Sequence, residues 1–443
     1  MSFETISVIG LGYIGLPTAV IFASYGKNVI GVDVNQETVD IINSGKTHIV
    51  EPNLDVSLRK VVIRGKLRAV TKPEPADVFL IAVPTPFLPI KDKNDIPQPD
   101  LSYIEAASKS IALVLKRGDL VILESTSPVG TTEKMERWIA DVRADLTFPA
   151  THGDESDIRI AYCPERVLPG NVIIELVEND RVIGGLTAKC SEHSVALYKT
   201  FVQGECVVTN ARTAEMTKLT ENSCRDVQIA FANELSIICD ELDINVWELI
   251  SLANRHPRIN ILKPGPGVGG HCIAVDPWFI VSKTPEKSKL IQTARRVNDA
   301  KPEWVIDKVK IAIADYLQQN PSKTVKDVTV ACYGLAFKAN IDDLRESPAL
   351  KITARIADFH IGKTLGVEPN IKILPKELGE IRLVSLRVAL ASANIHLLLV
   401  DHKQFSDLNA NVGAIFIDTI GIFNEHIPEK VVLSPTSTFV DTL

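Results

Sequence analysis

A lone thiol at the end of a loop rich in glycine is the most reactive feature this chain offers. In KPGPGVGGHCIAVDP, residues 263–277, Cys272 follows Gly265, Gly267, Gly269 and Gly270. Glycines adopt φ values closed to other residues and leave the backbone bare, so a ligand can lie directly against it. A thiolate in such a loop presents a soft nucleophile to that ligand. Asp276, four residues on, is near enough in sequence to help position or deprotonate a group beside the sulfur. A free cysteine is more often a small buried hydrophobe, so what surrounds Cys272 elsewhere in the chain decides its meaning.

Gly10, Gly12 and Gly15 spell G-x-G-x-x-G directly after the apolar run ISVIG and before a helical pattern. Such glycines permit a tight turn, close approach of a pyrophosphate and helix–strand packing, while the helix N-terminus attracts the phosphate charge. Asp33 closes the next apolar run, about 20 residues past the glycines, where an acid accepts hydrogen bonds from ribose hydroxyls and selects NAD over NADP. Thr85 in VPTP and Thr126 in ESTSPVG end later strands. Their hydroxyls suit a nicotinamide ribose or a catalytic water, and equally a helix cap or turn.

Lys218, Asn222 and Arg225 are spaced i, i+4, i+7 and share one helical face. Such a stripe is either solvated surface or, aimed at a reacting centre, a stabiliser of negative charge developing on oxygen. Glu165 in YCPERVLPG is a candidate carboxylate with Arg166 beside it, and Arg258 and Lys338 sit in loop-like settings suited to an anionic substrate. A dinucleotide fold combined with a separate loop cysteine implies two successive oxidations. An alcohol gives up a hydride, the aldehyde is trapped as a thiohemiacetal, and that adduct gives up a second hydride to become a thioester that water hydrolyses. The thiol is needed because a bare aldehyde has no good hydride to give.

The elements that must carry these groups are legible from patterning. ISVIG, NVIGVD, VFLIAVP and LVILEST read as strands alternating with helices such as LPTAVIFASYG and YIEAASKSIALVLKR, which implies a parallel sheet with helices on its faces. IAYCPE and DRVIGG continue the sheet to about residue 208. From 211 a stretch of more than thirty residues without glycine or proline reads as a long helix followed by shorter ones. Alternation resumes near 326 with VTVACYGLAF, a helix from about Ala349, then IKILP, IHLLLVD and AIFIDT. The expected fold is α/β, with a Rossmann-like NAD domain over 1–208, a central helical region with the cysteine loop over 209–305, and a second Rossmann-like domain over 306–443.

With 45% hydrophobic and 23% charged residues the composition is that of an ordinary globular protein, and a net charge of −7 argues against nucleic acid as the main partner. Seven scattered cysteines without a C-x-x-C pair fit reduced thiols, and His271 beside Cys272 is too little to hold a metal. The first strand begins almost at once, leaving no room for a signal peptide, and no apolar run reaches the roughly 18 residues a membrane span requires. The sequence is read as cytoplasmic and metal-free.

GLGYIGLP, VPTP, STSPVGTTEK, AEMTKLTEN, GVGGHCIAVDP and GLAFKANIDDLRESPA occur in order along the chain. Together they resemble the UDP-glucose/GDP-mannose dehydrogenase family of four-electron nucleotide-sugar oxidoreductases. The resemblance implies Cys272 as nucleophile, Lys218 as proton donor/acceptor and oxyanion stabiliser with Asn222 beside it, and Asp276 in support of the water or thiol. It implies UDP-sugar contacts from Arg166, Val167, Arg225, Arg258, Phe337 and Lys338, with Gly267 in the substrate loop, and NAD contacts from Tyr13, Ile14, Asp33, Thr85, Thr126 and Arg345. It further implies a homodimer built on the central helices, with Arg258 able to enter the neighbour's site. CPERVLPG, NRHPRINIL and GGHCIAVDPWF closely resemble those of members that oxidise UDP-N-acetylmannosamine for a cell-surface polysaccharide, enterobacterial common antigen, with UDP-N-acetylglucosamine the alternative substrate. Pro169 stands where UDP-glucose dehydrogenases have a second glutamate, Ala339 where proline is common, and Ile420 where a basic residue is frequent. A nucleotide-sugar-binding protein without turnover is the reading from a different class, opposed by the intact set of Cys272, Lys218 and Asp276.

Overall fold

The computed structural model describes residues 3–423 apart from 50, 90, 91, 93, 94, 168, 169, 271, 376, 377, 379, 380, 407 and 409–413. Pro169 and His271 therefore lie outside the described residues. The chain forms two compact units, one of residues 1–221 with 278–285 and the other of 222–277 with 286–443.

The first unit is built on an eight-stranded sheet: β1 (Thr5–Ile9), β2 (Asn28–Val32), β3 (Leu67–Val70), β4 (Val78–Ile81), β5 (Leu120–Leu123), β6 (Arg159–Tyr162), β7 (Arg181–Gly185) and β8 (Cys206–Asn210). Their spatial order is β3-β2-β1-β4-β5-β6-β7-β8. The central strands are buried on both faces, which is why they read as continuous apolar runs rather than alternating ones. Period-2 alternation sends Ile6, Val8, Leu80 and Ile122 into one core with the Gly15–Ser24 helix, and Phe79, Ile81, Val121 and Leu123 into another with the Ser102–Ala112 and Thr131–Val142 helices. One pairing departs from the expected parallel sheet, because β7 runs antiparallel to β6, with Tyr162 opposite Gly184.

The second unit carries a five-stranded parallel sheet: β9 (Thr329–Tyr333), β10 (Lys363–Val367), β11 (Arg382–Leu383), β12 (Ile395–Leu398) and β13 (Ile415–Asp418), in the order β11-β10-β9-β12-β13. This repeats the order of the first five strands of the first unit, so both units contain a dinucleotide-type fold. IKILP, expected as a strand, lies outside the sheet, and the strand paired with β9 is KTLGV instead. Gly362 and Gly366 within and beside KTLGV obscured its β pattern, although a glycine at 362 is required because a Cβ there would stand 2.2 Å from the Val328 carbonyl oxygen.

Two helices of 31 residues complete the framework, Ala211–Glu241 and Lys289–Gln319. The first is the long helix read from sequence. The second was hidden by Pro302, which sits inside it and gives up one backbone hydrogen bond. The boundary expected at 305/306 falls within this helix.

Candidate active site

In the first unit the glycine turn is shaped for a dinucleotide. Gly10 has φ +91°, and a Cβ there would lie 2.7 Å from the Ala82 carbonyl oxygen. A Cβ on Gly15 would meet the Gly10 oxygen at 1.8 Å, so this glycine serves the close packing of helix and strand. Gly12 differs, because a Cβ there meets nothing within 4 Å and the backbone faces open space. That is the cradle a pyrophosphate fits, at the mouth of the Gly15–Ser24 helix. Asp33 accepts from the Leu11 amide at 3.1 Å through one oxygen and from the Asn35 amide at 3.0 Å through the other. Each oxygen keeps a lone-pair direction for a ribose hydroxyl.

Thr85 supports the same fit. Its Oγ is buried and has no hydrogen-bond partner among the described residues, a state that costs free energy unless a ligand or water completes it. Thr126 lies between β5 and the Thr131–Val142 helix, whose start is held by Glu215, a buried carboxylate that accepts from the Gly130 amide at 2.6 Å and from the Thr132 amide at 2.8 Å. Burial pushes the Glu215 carboxyl up while these donors pull it down. Tyr13 and Val167 pack half-buried against the first core, and Ile14 precedes the first helix.

Glu165 follows β6, and its carboxylate is held by the Arg181 guanidinium at 2.8 Å and by the Arg166 amide at 2.7 Å. Arg166 points its own guanidinium at Glu221, 2.6 Å away, so its charge is already matched within the first unit. Lys218, on the Ala211–Glu241 helix, is buried. The stripe is therefore not a uniformly solvated face, since Lys218 is buried, Asn222 half-buried and Arg225 exposed.

In the second unit Cys272 is exposed and Asp276 is 2% exposed at the start of the Asp276–Lys283 helix. The Asp276 amide donates to the Cys272 carbonyl at 2.9 Å, tying the thiol's residue to the helix N-terminus. Asn222 Nδ2 donates to Asp276 Oδ2 at 2.5 Å. The glycine loop has a reason besides ligand access. A Cβ on Gly269 would stand 2.7 Å from the Glu346 carbonyl oxygen, and one on Gly270, at φ +81°, would stand 3.2 Å from the Phe337 ring. Gly267, at φ +145°, comes against Pro348 and Pro302. These three glycines let the cysteine loop pack against the segment GLAFK and its sequel, bringing Phe337 to the loop. Lys338 and Arg258 are exposed, and Arg345 is paired with Asp343 at 2.5 Å.

Sequence reasoning missed the group that shapes GLAFK. Glu368 accepts from the Leu335 amide at 2.8 Å, the Ala336 amide at 3.1 Å and His402 Nε2 at 3.0 Å. A signal was available, since Gly366-Val367-Glu368 ends β10 as Gly31-Val32-Asp33 ends β2. The equivalent acid of the second fold is committed to its own loop. Arg181 and Glu124 were also missed; Glu124 opens ESTSPVG and Arg181 stands in DRVIGG, but neither stretch signals that the two side chains meet.

Comparison with known proteins agrees with this geometry. Residues 4–202 match the NAD binding domain of the UDP-glucose/GDP-mannose dehydrogenase family, 212–300 its central domain and 331–425 its UDP binding domain. The chain belongs to that family. It is an NAD-dependent dehydrogenase whose substrate is a UDP-sugar. It is 64% identical over 406 residues to the UDP-N-acetyl-D-mannosamine dehydrogenase of Yersinia pestis, covering 91% of this chain and 95% of that one. It is 61% identical over 426 residues to the NDP-N-acetyl-D-galactosaminuronic acid dehydrogenase of Ralstonia nicotianae, covering 96% and 97%. Among solved structures, the UDP-D-ManNAc dehydrogenase of Pyrococcus horikoshii superposes with a TM-score of 0.81 at 39% identity, covering 95% of this chain and 96% of that chain. No helix among the described residues is long and apolar enough to cross a membrane.

Proposed function

We propose that this protein oxidises UDP-N-acetyl-D-mannosamine at C6 to the uronate with two NAD, through a thioester on Cys272. The observation that carries the chemistry is that Asp276, whose buried carboxylate accepts from Asn222, is tied through its backbone amide to the carbonyl of Cys272 within one unit. The 64% identity to the Yersinia pestis enzyme supports the sugar.

NAD, when bound, accepts the two hydrides; Gly10, Gly12, Gly15, Tyr13, Ile14, Asp33, Thr85, Thr126 and Arg345 are the residues assigned to hold it. Lys218 takes the proton of the C6 hydroxyl and then stabilises the oxyanion of the thiohemiacetal, with Asn222 as a second donor. Asp276, fixed by Asn222, accepts the thiol proton as sulfur adds to the aldehyde. In the last step water adds to the thioester carbonyl and Glu165 takes its proton. The C–S bond then breaks, returning Cys272 as thiolate and releasing the carboxylate. Arg166, Val167, Arg225, Arg258, Gly267, Phe337 and Lys338 are assigned to the UDP-sugar. The uronate, on this reading, supplies a cell-surface polysaccharide, and the enzyme works in the cytoplasm.

The Ralstonia nicotianae relative's name favours a second reading in which the sugar is an N-acetylgalactosamine nucleotide, and UDP-N-acetylglucosamine remains the C2 epimer of the first choice. Purified protein supplied with each UDP-sugar, with NADH and uronate both quantified, tests the proposal. Two NADH per UDP-N-acetylmannosamine, with that sugar giving the highest kcat/KM, is expected. One NADH per sugar removes the thioester, and a higher kcat/KM on another epimer replaces the substrate.

We infer as well that the protein is a homodimer through its central helices. Phe231, Ile238 and Leu242 are 51%, 46% and 61% exposed and recur at helical spacing along and just beyond the Ala211–Glu241 helix, a row of apolar side chains that a partner helix would cover.

A further inference from the structure

Two carboxylates in the first unit share a single guanidinium. Arg181 opens β7, and because β7 runs antiparallel to β6, its first residue lies beside the chain that leaves the carboxyl end of β6. There Arg181 Nη2 meets Glu165 Oε2 at 2.8 Å, while Nη1 faces Glu124 Oε1 at 3.8 Å from the end of β5. All three side chains are at least nine-tenths buried. The guanidinium is further fixed by the rings of Tyr198 and Phe201, whose centroids lie 4.8 Å and 5.9 Å from its central carbon. Tyr198 donates its hydroxyl to Glu124 Oε1 at 2.6 Å, and Glu124 Oε2 is buried with no partner among the described residues.

We propose that Arg181 is the positioning residue for Glu165, and that Glu124, at the other edge of the same guanidinium, sets how firmly Arg181 holds it. The inference rests on the reading of Glu165 as the base of thioester hydrolysis. The groups facing Glu124 are Arg181 from β7, Glu165 and Cys163 from the chain at and after the end of β6, and Tyr198 from the Ala188–Tyr198 helix. Burial pushes the Cys163 thiol up to about 12 and the Tyr198 phenol well above its ordinary value, so neither carries charge near neutrality. Burial also pushes the Glu124 carboxyl up to about 7, with Arg181 opposing the shift and Glu165 adding to it. Below that pH Glu124 is neutral and the whole charge of Arg181 serves Glu165. Above it the guanidinium is shared between two carboxylates, its hold on Glu165 loosens, and hydrolysis slows.

The test compares Glu165→Gln, Arg181→Lys and Glu124→Gln in the full-length enzyme with NAD and UDP-N-acetylmannosamine. Readouts are kcat, KM, the pH profile of kcat, and by intact mass the fraction of Cys272 acylated in the steady state. Arg181→Lys keeps the charge and loses the planar fork. It is expected to lower kcat about 10²-fold, the scale of a slightly misplaced catalytic group, with KM little changed and acylated Cys272 accumulating as in Glu165→Gln. Glu124→Gln mimics the neutral acid and is expected to abolish the fall in kcat as the pH rises through 7. A normal Glu165→Gln enzyme overturns Glu165 as base and this inference with it. A crippled Glu165→Gln enzyme beside an Arg181→Lys enzyme with wild-type kcat and no adduct overturns the positioning role alone. If Arg181→Lys does not fold, Glu124→Gln decides: a pH profile identical to wild type, or a wild-type profile flat through neutrality, overturns the proposal.

Discussion

Asn222 and Asp276 stand 54 positions apart in sequence and 2.5 Å apart in space, with the amide nitrogen of the asparagine donating to a carboxylate that is nearly inaccessible to solvent. The contact ties the long helix of the polar stripe to the turn that presents Cys272. A buried carboxylate bonded in this way keeps a fixed orientation, and the second carboxylate oxygen remains directed by the first.

Removing the thiol separates binding from chemistry. Cys272→Ala is expected to abolish NADH production while the affinity for the UDP-sugar, read by calorimetry, changes less than about threefold, since sulfur acts after binding. Asp276→Asn, which keeps the Asn222 contact only with an amide flip, is expected to lower kcat by about 10²-fold or more, as loss of a general base does. Carboxylate formed at the wild-type rate by the Cys272→Ala protein would falsify the nucleophile assignment.

The two outer glycines of the dinucleotide turn and the middle one fail differently. Gly15→Ala drives a methyl into the Gly10 carbonyl oxygen at 1.8 Å and is expected to yield unfolded or insoluble protein. Gly12→Ala has space in the unliganded turn, so its melting temperature is expected to stay within a few degrees of wild type while its KM for NAD rises at least about tenfold, the cost of roughly 1.4 kcal/mol of pyrophosphate contact. Thermal melts with and without NAD distinguish the two, and an NAD-induced Tm rise preserved in Gly12→Ala contradicts the cradle.

Glu124 makes stability depend on pH. Its carboxyl is raised from 4.5 to about 7 in the folded state by burial. The folded protein therefore holds a proton that the unfolded chain has lost, so this contribution is fully present below about pH 4.5 and declines as pH rises, until it is gone above about 7. Glu124→Gln cannot ionise. The stability of Glu124→Gln relative to wild type is expected to rise by about 3 kcal/mol between pH 5 and pH 8, measured by urea unfolding at both pH values. A difference that does not change with pH places Glu124 outside this account.

The exposed row on the central helix gives a test of assembly. Phe231→Asp places a charge where an apolar partner surface is expected. The variant is expected to elute as a monomer in size-exclusion chromatography with light scattering at low micromolar concentration, while wild type elutes as a dimer. Two proteins of the same mass refute the role of this face.

The signals of the candidate site that the sequence carries are local. G-x-G-x-x-G with Asp33 needs only a turn, a helix start and the neighbouring strand, all within one supersecondary unit. The cysteine loop and the helical spacing of Lys218, Asn222 and Arg225 are likewise written in short stretches of chain. So are the long apolar strands of both sheets, since burial on both faces leaves a continuous hydrophobic run.

The tertiary structure decided what each of these groups touches. It assigned three glycines of the cysteine loop to contact with Phe337, Glu346, Pro302 and Pro348, a requirement no reading of 263–277 alone contains. It reversed β7 against β6 and so delivered Arg181 to Glu165 and Glu124. It showed that the acid ending β10 is used up in holding its own loop, although it matches Asp33 in position. The division has one physical cause. Backbone conformation is set by neighbours in sequence, whereas hydrogen bonds, ion pairs and desolvation act over a few ångströms between residues that only the folded chain brings together.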